Sequence, residues 1–101
     1  MNKIVYNKLI RDRIPEIIEK SGKTAIVQTL ENKQYHAKLN EKLSEELQEY
    51  QESKSIEELA DIVEVIYAIV KTQGNSIEEF ERIRIEKGGN RGYFEKKLLL
   101  V

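Results

Sequence analysis

A chain of 101 residues, 35% charged and 40% hydrophobic, has the material for one domain, residues 1–101, with a modest core. With no cysteine and one histidine it excludes disulfides, thiolate metal sites and a histidine-rich zinc site, so any metal must be held by oxygen. The net charge of −1 conceals a segregation: residues 1–24 carry six bases and three acids, residues 82–97 six bases and two acids, and Glu41 to Glu64 nine acids and two bases.

Taken in chain order, Pro15 suits an early helical position, with Asp12 or Arg13 near the cap and Ser21-Gly22 as the stop, which predicts a short helix over Ile14–Lys20. Ala25–Leu30 is rich in β-branched residues after a glycine turn and reads as a strand, with Tyr93–Val101 as its partner. A second helix is expected from about Tyr35 to Ser53, where Leu39, Leu43, Leu47 and Tyr50 form one apolar stripe. His36 reads as a surface or capping residue near its start. Ser55-Ile56-Glu57-Glu58 is a capping box opening a third helix that runs to about Thr72. The same four-residue pattern at Ser76 opens a fourth, ending near Gly88-Gly89. The expected fold is mainly α: an antiparallel bundle of about four helices with a small two-stranded β-ribbon, completed by oligomerisation. No apolar signal segment opens the chain, and Leu59–Val70 is too short to span a bilayer. The expectation is therefore a cytoplasmic protein without a membrane partner.

Leu59–Val70 is the most hydrophobic stretch, and acids interrupt it. Ten of its twelve residues are apolar, the exceptions being Asp61 and Glu64. An unpaired carboxylate in such a helix costs several kcal/mol or is forced to protonate. Asp61 has no base at i±3 or i±4, and a divalent metal is the counter-charge this pattern suggests. Glu46/Glu49 and Glu58/Asp61 are each carboxylates three apart, sharing a helix face. A short loop makes the two helices antiparallel neighbours, so the pairs can converge on one magnesium ion, or on two about 3.5–4 Å apart. The competing reading is structural: Glu58 as the capping-box acid, Glu45, Glu49 and Glu52 as a solvated face.

Glu45-Glu46-x-x-Glu49 followed by Glu58-x-x-Asp61 resembles the double acidic signature of the MazG-like all-α nucleoside-triphosphate pyrophosphohydrolases, relatives of phosphoribosyl-ATP pyrophosphohydrolase. Tyr6-Asn7-Lys8-Leu9-Ile10-Arg11-Asp12-Arg13-Ile14-Pro15-Glu16 is similar to the opening of a small single-domain, house-cleaning branch, and Lys87, Arg91, Gly92 and Phe94 to its ending. One departure is that only eight residues separate Glu49 from Glu58, short of the usual spacing. The resemblance implies an enzyme, a hydrolase of phosphoric anhydrides. It would split a nucleoside triphosphate, non-standard or damaged, into monophosphate and pyrophosphate with Mg2+, or Mn2+ as the alternative ion. Carried over, Glu46, Glu49, Glu58 and Asp61 match metal ligands, and Glu45 matches a glutamate that orients or deprotonates water. It also points to a homodimer or a dimer of dimers.

Lys8, Arg11 and Arg13 before the first helix, and Lys87 and Arg91 around Gly88-Gly89-Asn90, are the candidate phosphate-binding residues. Against this, Gly88-Gly89 also reads as an ordinary helix stop, and Arg11 and Arg13 as partners of Asp12, Glu16 or a neighbouring subunit. Lys42 is placed to balance the acids or to touch phosphate. No nucleic-acid polymer is expected as a partner. The alternatives to an enzyme are a non-catalytic nucleotide- or metal-binding regulatory helical module, and an interaction protein whose acidic stripe meets a basic partner.

Overall fold

Pro15 sits in the first turn of the first helix, α1 (Ile14–Lys20), where its missing N–H has no helical partner to lose. The computed structural model describes residues 6–101. Ion pairs from Glu16 to Arg13 and Lys20 brace α1, and none of its residues is buried.

The long helix α2 (Asn32–Ser53) starts one turn before the expected Tyr35, with Tyr35 N–H donating to the Glu31 carbonyl at 2.8 Å. Its first turn, Asn32-Lys33-Gln34, is polar, so apolar periodicity could not reveal it. The capping boxes mark the next two starts correctly. Ser55 accepts from Glu58 N–H at the start of α3 (Ile56–Thr72), and Ser76 from Glu79 N–H at the start of α4 (Ile77–Arg91).

Only Lys54 and Ser55 join α2 to α3, with Lys54 in the left-handed region at φ 57°. The two helices fold back as a hairpin. At its far end the His36 ring nitrogen Nδ1 meets Thr72 Oγ1 at 3.1 Å, so this half-buried histidine ties α2 to α3 instead of lying at the surface. α4 turns back along α3 after Gly74 (φ 84°), with Phe80 edge-on to Tyr67 at a centroid distance of 6.1 Å and Tyr67 Oη donating to Glu81.

Two further expectations change. Ala25–Leu30 and Tyr93–Val101 are irregular, and no strand occurs among the described residues. A two-stranded ribbon needs a surface to pack on, and Ile26, Leu98, Leu99 and Leu100 each stay at least 86% exposed with none. β-branched composition reports a fit to a half-buried pleated surface, which this single chain does not supply. The other change is that α4 does not stop at Gly88-Gly89 but runs through both to Arg91. Gly88 is buried because the Tyr93 ring lies over it: a Cβ there would come within 2.3 Å of the ring.

Among the described residues the buried apolar ones are Leu39, Val65 and Val70, a thin core for this length. The Cα radius of gyration is 17.6 Å, against about 13 Å for a compact domain of roughly 100 residues.

Gly89 faces open space, so Gly89→Ala should stabilise the protein by up to about 1 kcal/mol through helix propensity. Gly88→Ala should gain less or lose, because Tyr93 must leave its seat. Urea unfolding of both variants checks this; equal gains would mean that the ring does not rest on Gly88.

Candidate functional site

The acidic site grows out of the α2–α3 hairpin. Along α2 the inward line is Leu39, Leu43, Glu46 and Tyr50, at spacings of four, three and four, and Leu47 of the expected stripe is 48% exposed. Glu46 thereby takes a core position and is only 6% exposed. Opposite it, the first turns of α3 present Glu58 and Asp61, and one carboxylate oxygen from each of the three lies within 4.8 Å of the others. Glu49 is exposed and outside this group.

Charge balance comes first from Lys42, whose Nζ is 3.3 Å from Glu46 Oε1 and 3.9 Å from Glu45 Oε1. The remaining bases arrive from far away in sequence. Lys8 Nζ donates to Glu45 at 2.9 Å, and an Arg11 guanidinium nitrogen donates to Asp61 at 2.5 Å. Asp61 has no base at i±3 or i±4, and its counter-ion comes instead from 50 residues upstream. Helix spacing cannot signal such a contact. Arg13 does not join them and pairs with Glu16. Lys87 and Arg91 are exposed and make no ion pair among the described residues.

The carboxylates differ in electrostatic state. Hydrogen bonding to Lys8 holds Glu45 below the ordinary glutamate value, with the charge of Lys42 adding to it. The same contact raises the Lys8 ammonium, with the charges of Glu49 and Glu46 contributing. Burial pushes Glu58 up, and Glu49, Glu46 and Asp61 push it further. Two oxygens, Glu46 Oε2 and Glu58 Oε2, are shut off from solvent without a hydrogen-bond partner. Unpartnered buried carboxylate oxygens carry a full desolvation cost. A hard divalent cation fits this donor set, which is all oxygen and anionic and short of positive charge.

Beside the acids lies an apolar groove of ≈ 380 Å³ between α2, α3 and α4, its floor including Leu43, Ile66, Val70 and Phe80. Leu43 and Ile66 are three and five residues from Glu46 and Asp61, about 5–8 Å along the helix axes.

No protein-family model and no solved structure matches the chain. A 42-residue stretch is 50% identical to an uncharacterized protein of Mycolicibacterium smegmatis. The match covers 42% of this chain and 43% of that protein. No helix among the described residues is long and apolar enough to cross a membrane.

The raised Glu58 carboxyl gives a signed pH test. Its proton is held more tightly in the folded than in the unfolded chain, so its ionisation destabilises the fold, and that loss is recovered as pH falls through the raised value. With chelator present, Glu58→Gln should therefore melt above wild type at pH 7. The difference should shrink toward zero below the ordinary glutamate value of 4.5. Melting curves from pH 7 to 4 decide it, and a gap that widens on acidification would refute the assignment.

Proposed function

We propose that the protein is a magnesium-dependent nucleoside-triphosphate pyrophosphohydrolase, releasing nucleoside monophosphate and pyrophosphate in a house-cleaning role. The observation that carries this reading is the convergence of Glu46, Glu58 and Asp61, two of them with buried, unpartnered oxygens. Its sequence support is the resemblance of the two acidic motifs and the Tyr6–Glu16 segment to the MazG-like family. Magnesium, or manganese, would be held by these three carboxylates, with Glu49 at the rim, and would supply neutralisation of phosphate charge and a more acidic water. Lys8 and Arg11 already border the acids, and Lys87 and Arg91 would add exposed positive charge for the phosphate chain, while Arg13 is taken up by Glu16. The groove beginning at Leu43 has the size and apolar lining that suit a nucleobase.

A second reading has its own observation. Glu45, the residue matched to water activation, is engaged by Lys8 and depressed in basicity, which suits a module that binds metal or nucleotide without turnover. A panel of nucleoside triphosphates with magnesium and coupled pyrophosphatase separates the two. Turnover of any member supports the enzyme; magnesium-dependent binding without product supports the module. If the enzyme reading holds, Glu46→Gln and Asp61→Asn should lower kcat by more than about a hundredfold, the upper end of what even an indirect partner of a metal ligand carries. Circular dichroism should show both still folded. Near-normal hydrolysis by both would refute the site.

We also propose a homodimer or dimer of dimers. The thin core supports it, as do the exposed apolar side chains of Ile56 and Val63 on α3 and Leu47 on α2. Sedimentation equilibrium at micromolar concentration should give a multiple of 11.8 kDa, and a stable monomer would sink the claim.

A further inference from the structure

We propose that the stretch from Lys8 to Arg11 is a displaceable strap: Arg11 holds the place of the divalent cation at Asp61 and gives it up when the cation binds. This rests on the metal reading of the acidic site and adds a regulatory element to it. Three observations carry it. Arg11 reaches Asp61 and Lys8 reaches Glu45 from the same irregular stretch, so both contacts can release together. The two bases sit on the two sides of the hairpin, Glu45 on α2 and Asp61 on α3, and so span the acidic group. The strap nevertheless leaves the deepest oxygens, Glu46 Oε2 and Glu58 Oε2, unpartnered. It therefore neutralises the outer carboxylates without filling the centre, where a small cation has more to gain than a long side chain.

Both contacts are solvent-accessible, with Arg11 at 60% and Asp61 at 39% side-chain exposure. Exposed ion pairs are individually weak, so the strap can let go at modest cost. α1 buries none of its residues and does not anchor the segment. Once freed, the same guanidinium stands beside the acids and is available to a phosphate group. A single residue would serve the empty site as counter-ion and the loaded site as an anion ligand.

The test is calorimetric titration of magnesium chloride alone, without nucleotide, into the full chain. Wild type is compared with Arg11→Gln, Arg11→Lys and, as a control, Arg13→Gln, whose partner is Glu16. A competing strap predicts that Arg11→Gln binds magnesium about threefold to tenfold more tightly, the range expected for loss of an exposed to part-buried charge pair. Arg11→Lys keeps the charge and should stay near wild type, as should Arg13→Gln. A purely structural Arg11 would give the opposite sign, weaker binding in Arg11→Gln, and overturn the strap. Equal affinity in wild type and Arg11→Gln would overturn it too while leaving the metal site standing. Absence of magnesium binding in every variant would overturn the metal reading and the strap together. An Nε–H resonance lost in Arg11→Gln identifies the guanidinium by NMR, and it should shift on magnesium addition to wild type. No shift at saturating magnesium would also refute displacement.

Discussion

A carboxylate in a helix seam governs this molecule. The α2 spacing of Leu39, Leu43, Glu46 and Tyr50 requires that, if the leucines pack on α3, Glu46 goes in with them. Burying a charge needs compensation, and much of what surrounds the hairpin supplies it. Lys42 stands one turn away, and Lys8 and Arg11 come in from the amino-terminal side. What they leave without a partner are the inner oxygens, Glu46 Oε2 and Glu58 Oε2. Stability and chemistry pull against each other there. On the proposed metal reading, the discomfort of these carboxylates is what a bound cation would relieve.

The same tension explains the uneven states of the acids. Glu45 and Glu58 are both half-buried, yet they shift in opposite directions, since Lys8 bonds to one and only acids and burial act on the other. Environment assigns roles that residue type cannot. A glutamate engaged by lysine gives up basicity, and one crowded by carboxylates gains it.

What was legible in the sequence were the features written in local spacing. The α1 bounds and the two serine caps follow from proline, serine and glutamate positions that act within one turn. The convergence of Glu46 with Glu58 and Asp61 follows from a short loop and three-residue spacing. Long-range choices were not legible. Whether Leu47 or Glu46 faces inward turns on a rotation of α2 by one residue, about 100°, and both patterns are apolar enough to be read as the stripe. Arg11 on Asp61 and His36 on Thr72 join residues 50 and 36 apart, with no periodicity to announce them. The expected ribbon is absent among the described residues because β-branched composition describes what a strand would pack on, not whether such a surface exists. Gly88 has the composition of a stop signal, but its absence of side chain serves the ring of Tyr93.

The two-residue turn at Lys54 and Ser55 has a consequence for how such a protein tolerates change in length. Glu46 lies seven residues before Ser53, the end of α2, and Glu58 two residues after Ile56, the start of α3. The helices hold these acids in phase with one another. A residue inserted within either helical stretch between them turns one acid by about 100° and slides it by about 1.5 Å, enough to break the trio. An insertion of three or four residues in one helix restores the phase but slides its acid by about 4.5–6 Å, so an equal insertion in the other helix is needed to reassemble the trio. Length variation between the two acidic motifs that keeps the site should therefore come as matched turns, one in each helix, about seven residues in all.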